Sequence, residues 1–442
     1  MKRLIAFVSG ILLVALFLSA CGAQTEKNTT SQNSESDSIK QTGETSKRTV
    51  HVSFFTGKSE TVDVINDIIN KFNEQNPGIV VSQEFQKDAS NVIKVKFASG
   101  DVPDIVTTYE QEFVDQGKYL DISDMDEWWS RTIPSMKENC TDIKTGKQFR
   151  ICTNMTMAGI FYNKEIFQQL GLKEAKTWDE FVNNLKVIKE KMPEVTPWFI
   201  PGKEAWSLGH LIEFLPHGYI KQKYGAVEAK KAFLSNDQTK LDFGKVGGSV
   251  ETFARNLLQL KEEGLINSDV ISATYDNHVQ AFANGDAAII SQGMWVVSSL
   301  LEANQDIAEK IGFSPYPSYM NDMQPVVLSA EDSGYSISAE SENKEEAIKF
   351  LNFLFQPDNQ KTYSETVQSP CAFTDVDADW GVLKDEVTSA LERGYNIGFT
   401  NEKPAGFSGD DAGRMVQELL AGKYNSEEFA KAYKEAWDAG ME

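Results

Sequence analysis

Within its first folded stretch the chain changes hydrophobic period repeatedly, and that alternation narrows the architectures open to it. Val50, Val52 and Phe54 fall on one face of a strand, and a turn at Thr56-Gly57-Lys58 leads into a helix. There Val62, Ile65, Ile68, Ile69 and Phe72 recur at helical spacing until Asn76-Pro77-Gly78 stops them. A second strand is predicted over 79–85, an amphipathic helix near 91–97, a turn at 100–103 and a short apolar strand at 104–106. Strand, helix, strand, helix, strand predicts an α/β fold with a mostly parallel sheet flanked by helices. Such sheets bind ligands beyond the carboxyl ends of their strands, which makes the loops at 56–60 and 107–110 the first candidate walls of a site. A similar block begins near Gly159, and Thr177-Trp178-Asp179-Glu180 has the spacing of a capping box, so Trp178 reads as packing. Helical patterns recur at 250–262, 279–284 and 344–355, and helices near 410–421 and 426–439 close the chain.

The chain has 442 residues, too many for one compact core and suited to two lobes. Ahead of them, Lys2 and Arg3 precede an apolar run over 4–18 that ends in Leu18-Ser19-Ala20-Cys21-Gly22. The run is short for a bilayer span and has small residues before Cys21, so residues 1–20 read as a cleaved signal peptide. Leu-Ser-Ala-Cys resembles the lipobox of bacterial lipoproteins, which implies that Cys21 carries acyl chains and anchors the protein outside the cytoplasmic membrane. Residues 21–47 are rich in Ser, Thr, Gln, Asn, Glu and Lys. They cannot bury enough surface to offset their ordering entropy, and are expected to act as a disordered tether with a reach of about 25 to 30 Å. A formal charge of −22 argues against nucleic acid or an anionic membrane face as a partner.

Apart from Cys21 the cysteines are Cys140, Cys152 and Cys371, an odd number that allows at most one internal disulfide. Cys140 and Cys152 flank a turn-like 144–147, so either a bridge across a hairpin or buried thiols would fit. No metal site is implied, because His51, His210, His217 and His278 lie at no ligand spacing from the cysteines. Asp375, Asp377, Asp379 and Glu386 approach the pattern of a calcium loop, but Trp380 stands where the sharp turn needs glycine. Acids favoured at a helix start account for the same residues.

Several strings in order resemble the extracellular solute-binding proteins of ABC importers, in the group of maltose-binding and other sugar-binding proteins. They are Phe72-Asn73 with Pro77-Gly78-Ile79-x-Val81, Ser99-Gly100-Asp101-x-Pro103-Asp104-Ile105, Tyr162-Asn163-Lys164 with Phe167, and Thr177-Trp178-Asp179-Glu180-Phe181. Phe282-Ala283-Asn284-Gly285-Asp286 with Gly293-x-Trp295, and Asn343-Lys344-Glu345-Glu346-Ala347 with Phe350, complete the set. The resemblance implies a two-lobe clamp with lobe 1 at 48–155 plus 336–369 and lobe 2 at 156–335 plus 370–442. The crossings would fall near 155–158, 331–335 and 369–373. It further implies a carbohydrate ligand, ABC permease subunits as partners, a monomer, no cofactor and no catalysis.

A sugar presents an apolar face of C–H groups and a rim of hydroxyls, so its site calls for flat aromatic platforms edged by polar groups. The resemblance places Trp295 and Trp206 as such platforms, and Thr56, Ser59 and Glu60 as polar contacts. Tyr109 and Glu110 follow the third strand, at its ligand-facing end. Asp332 and Ser333 precede a crossing, and 407–410 matches a segment that closes the site, with Phe407 and Asp410 as candidates; Asp410 would also serve as a helix N-cap. Two other readings stay open: a secreted glycan-acting enzyme using carboxylates such as Glu60 and Glu110, and the same clamp holding a solute that is not a sugar.

Overall fold

The computed structural model describes residues 49–441 except 321, 322, 333, 401 and 405, so the expected signal peptide, Cys21, the tether and Ser333 lie outside the described residues. Eleven strands appear there: β1 (Val50–Thr56), β2 (Ile79–Phe85), β3 (Ile105–Val106), β4 (Ile151–Cys152), β5 (Met155–Asn163), β6 (Thr196–Phe199), β7 (Ala287–Gly293), β8 (Ile311–Ser314), β9 (Val326–Glu331), β10 (Gly334–Ile337) and β11 (Tyr395–Ile397). They form a five-stranded sheet in the order β2-β1-β3-β10-β4 and a six-stranded sheet in the order β11-β9-β5-β7-β6, with β8 also paired to β5.

Both sheets are mixed, which corrects the expectation of mostly parallel ones. β1 pairs in parallel with β2 and β3, because the helices Val62–Gln75 and Ala89–Ser99 carry the chain back between them. β10 is antiparallel to β3 and β4, since it enters this sheet directly from the other one. In the second sheet β5 runs antiparallel to β7, β8 and β9.

The chain passes between the sheets at Thr153 and Asn154, between β4 and β5, and again at Asp332, between β9 and β10. These passages are hydrogen-bonded to each other. Cys152 faces Gly334 on one side, Met155 faces Glu331 on the other, and the Asp332 N–H donates to the Asn154 carbonyl between them at 3.1 Å. A third segment runs alongside: the Met155 N–H donates to Pro370 O at 2.9 Å and the Ala372 N–H to Thr153 O at 2.7 Å.

Each sheet has its own apolar core. Phe54, Phe72 and Phe350 pack in the first, with Phe72 and Phe350 at 5.3 Å and nearly perpendicular. Tyr433 and Trp437, fully buried, pack behind the second with Phe243 and Phe407. Each such ring contributes about 1.5 to 3 kcal/mol by leaving water. The capping box read at Thr177 and Glu180 is present and opens the helix Trp178–Lys191. The helices Ala205–Ile212 and Gly409–Leu420 meet backbone to backbone. A Cβ on Gly413 would fall 1.7 Å from the Ala205 carbonyl oxygen, so only glycine permits that approach. This contact fixes where the segment ahead of Gly409 can lie.

Candidate functional site

A cavity of about 540 Å³ opens between segments of the two sheets. The first sheet supplies the loop after β3, the residues around Cys140, and Arg150; the second supplies residues from Gly398 to Thr400, from Glu402 to Pro404, from Gly406 to Gly409 and Asp411, with the helix residue Lys221. Tyr109, the first residue of interest after β3, is stacked on Tyr119 at 5.7 Å and carries the Arg150 guanidinium over its ring at 4.3 Å. Burial pushes the Tyr109 hydroxyl up to about 12. Arg150 donates to Glu331 of β9 at 2.6 Å, so one side chain joins the cavity wall to the second passage between sheets.

Glu110 lines the cavity, and Asp410, from the other sheet's side and outside the lining, is close enough to act on its carboxyl. Burial raises both carboxyls above their usual range, Lys94 works against the rise at each, and each carboxylate lies within the other's field or that of a neighbouring acid. Asp410 is not the N-cap. Ser408 holds that position and exchanges hydrogen bonds with Asp411, because the string Ser408-Gly409-Asp410-Asp411 sets the acid three residues on. Phe407 lines the cavity, but its ring is 3% exposed and packs on Tyr433 and Trp437 at 5.4 and 5.7 Å.

The loop at 56–60 lies deeper. Thr56 is fully buried as the last residue of β1; its hydroxyl accepts from the Lys58 N–H at 3.1 Å and from the Thr107 hydroxyl at 3.0 Å. That leaves it a part of the sheet end, not of an open wall. Ser59 is exposed, and its hydroxyl donates to Glu60 at 3.4 Å. Lys58 pairs with Asp332, which also accepts from Asn154 at 3.1 Å, and Glu60 stands 3.8 Å from the same ammonium. Burial opposes the charge of Lys58, yet Asp332 and Glu60 raise its pKa; burial raises Glu60 in turn.

Trp206 and Trp295 form a third group, with rings 6.4 Å apart. Trp295 is 9% exposed, its indole N–H donates to Gln292 at 3.0 Å, and its ring lies where a Cβ on Gly293 would sit. Trp206 is half-buried and faces Tyr275 at 5.6 Å. Neither indole belongs to the cavity lining. His210 connects them to it: its ring stands 5.4 Å from Trp206, 5.5 Å from Trp295 and 5.6 Å from Phe399, which does line the cavity. Burial lowers the His210 imidazole to about 4, so it is neutral near pH 7.

The structure therefore gathers Tyr109, Glu110 and Phe407 in the cavity lining, with Asp410 next to lining residues but not among them. Lys58, Glu60, Asp332, Trp206 and Trp295 lie behind, with His210 between the two sets. Arg150, His210, Tyr275 and Phe399 were not singled out as binding residues from the sequence. A buried charge knot backs the cavity's second wall. Glu213, in a single π-type turn (Glu213–His217), pairs with Lys403, accepts from the Thr400 N–H at 3.0 Å and stands 3.9 Å from Lys221. Burial works against its charge, but Lys403, His217 and Lys221 together hold its carboxyl well below the usual range. Among the described residues no group of three or more His, Cys, Asp or Glu is placed to hold a metal ion. In the acidic stretch at 375–386, Asp375 is engaged by Arg131 and Glu386 by Lys164.

The family model for bacterial extracellular solute-binding proteins matches residues 58–361. The chain is 26% identical over 376 residues to the multiple sugar-binding protein of Streptococcus mutans, covering 80% of each. It is 24% identical over 383 residues to the melibiose/raffinose/stachyose-binding protein MelE of Bacillus subtilis, covering 84% of this chain and 82% of MelE. In fold it is similar to a sugar transporter from Bacillus licheniformis in complex with stachyose, with a TM-score of 0.74 at 24% identity over 88% of this chain and 100% of that one. RafE in complex with raffinose is similar at a TM-score of 0.72 and 24% identity, over 89% of this chain and 100% of RafE.

Proposed function

The chain belongs to the bacterial extracellular solute-binding proteins, and on that premise we propose that it captures an oligosaccharide between its two sheets and delivers it to the transmembrane subunits of an ABC importer. Members of this family bind their solutes without converting them, so it is not an enzyme, and the carboxylates at Glu60 and Glu110 have no acid–base role. The observation that carries the reading is the cavity with one wall from each sheet, joined by passages that are themselves hydrogen-bonded. A volume of about 540 Å³ is within the range of roughly 300 to 1,000 Å³ typical of small-molecule sites. Closure over a guest excludes water, which strengthens each hydroxyl contact that Glu110 or Arg150 offers.

The carbohydrate is supported by the two relatives named for sugars and by the chemistry of the site. Tyr109 and Phe399 provide ring faces in the cavity beside the Glu110 carboxylate, which accepts from hydroxyls, and His210 links Phe399 to Trp206 and Trp295 behind it. The protein works as a monomer held to the membrane by lipid on Cys21, with residues 21–47 as its leash.

Micromolar capture requires about 8 kcal/mol net, which a few ring contacts and buried hydrogen bonds can supply. The test is a thermal-shift screen of the full chain against melibiose, raffinose, stachyose and malto-oligosaccharides, followed by calorimetry on Tyr109→Ala and Phe399→Ala. A sugar ligand raises the melting point by mass action, and loss of a ring that touches it weakens binding by about 2 kcal/mol. A panel in which no saccharide shifts the transition, while a charged solute does, overturns the carbohydrate reading.

A further inference from the structure

Cys140 and Cys152 belong to the same buried cluster of the first sheet's core, at 3% and 0% exposure, close enough for each thiol to act on the other's ionisation. Cys140 caps the helix Pro134–Asn139 and belongs to the cavity lining; Cys152 ends β4, opposite Gly334. The chain between them is already folded into a closed loop. Thr141 and Gln148 are bridged, the Asp142 N–H donates to Lys147 O at 2.7 Å, and the Asp142 carboxylate accepts from both the N–H and the hydroxyl of Thr145. A bond joining the two sulfurs would close a loop that its own backbone hydrogen bonds already draw together, between two thiols of one core cluster.

Cys371 is engaged elsewhere: its thiol donates to Thr153 O at 3.3 Å and accepts from the Phe373 N–H at 3.4 Å. The surroundings also favour reaction at the pair. Hydrogen bonding from Cys152, aided by the Arg150 guanidinium, holds the Cys140 thiol below its ordinary value despite burial. The extracellular setting of the family is one in which disulfides form and persist.

We propose that Cys140 and Cys152 are a redox pair that closes to a disulfide on the wall of the cavity. The Cys140 thiolate attacks one sulfur of a small-molecule disulfide, forming a mixed disulfide and expelling one thiolate. Cys152, giving up its proton, then attacks the Cys140 sulfur and expels the second. The protein loses two electrons and two protons, and the oxidant's S–S bond is reduced to two thiols that take them up. Closed, the bridge ties the rim at 138–143 to β4, which leads directly into the first passage between the sheets. The pair does this whatever solute the cavity holds.

The test incubates the reduced full chain with oxidised glutathione, unfolds it in guanidinium with N-ethylmaleimide and maps the cysteines by peptide mass spectrometry. Expected are a peptide pair joined through Cys140 and Cys152, an alkylated Cys371, and a melting temperature higher than that of the reduced protein. Cys371→Ser keeps both the joined peptide and the rise, and Cys140→Ser abolishes both. Recovery of Cys140 and Cys152 as alkylated thiols or as separate glutathione adducts overturns the proposal, as does a bridge that includes Cys371.

Discussion

Replacing Lys221 with Met probes the charge knot behind the cavity. Lys221 is 8% exposed, donates to the Gly398 carbonyl at 2.5 Å and stands 3.9 Å from Glu213. Burial, partly offset by Glu213 and Glu402, lowers its ammonium to about 8 from the usual lysine value of 10.5. Between those values the unfolded chain binds more protons than the folded one, so this residue's contribution to stability rises with pH across that window. At about pH 7 keeping Lys221 charged in the folded state costs about 3 kcal/mol, of which about 2 kcal/mol is relieved by about pH 9.5.

The Met variant lacks this dependence but leaves the Gly398 carbonyl without its donor, worth about 1 to 3 kcal/mol. The two proteins should therefore be nearly equal in stability at neutral pH, with wild type ahead by about 2 kcal/mol more in the alkaline buffer. Equilibrium urea unfolding by tryptophan fluorescence, at matched ionic strength, measures the difference. Effects of other titrating groups largely cancel between the two proteins. A difference that stays flat, or shrinks as pH rises, refutes the assignment of Lys221 as a buried, destabilised cation.

Gly413→Ala places a methyl group against the Ala205 carbonyl and forces two helices apart, so a loss of about 3 kcal/mol in unfolding free energy is expected; an unchanged melting point would mean the helices do not meet there. Asp410→Asn removes a carboxyl that burial holds above its usual range. The variant should be more stable than wild type near neutral pH, and the gain should vanish in acid, where Asp410 is protonated anyway; a gain that persists in acid contradicts this.

The parts of the fold legible in the sequence were those decided within a few residues. The apolar spacing from Val62 to Phe72, the stop at Asn76 and the box at Thr177 each fix a local conformation, and each is present. The order Ser408-Gly409-Asp410-Asp411 held the same kind of signal, and Ser408 as the cap could have been read from it. Sheet direction was not local. β10 is antiparallel to its neighbours because it arrives from another sheet, which no window of sequence reveals.

The site divides in the same way. The loops at 56–60 and 107–110 do stand at strand ends, but whether a side chain faces a cavity depends on distant partners. Thr56 turns inward to Thr107, and Trp295 folds back on Gly293. Arg150 matters because Tyr109 and Glu331 meet it from separate segments, and His210 because Trp295 and Phe399 flank it. Nothing in the neighbourhood of either residue along the chain marks it.

The ladder shared by the first two passages governs how the halves can travel. A two-stranded ribbon bends readily out of its own plane and resists sliding of one strand along the other, since each step of slip breaks rungs such as Asp332 N–H to Asn154 O. The third segment, laced to the same place at Pro370 and Ala372, adds resistance to torsion. Of the relative motions of the two sheets, such a spine resists least an opening like that of a book, which keeps the two faces in the same registration.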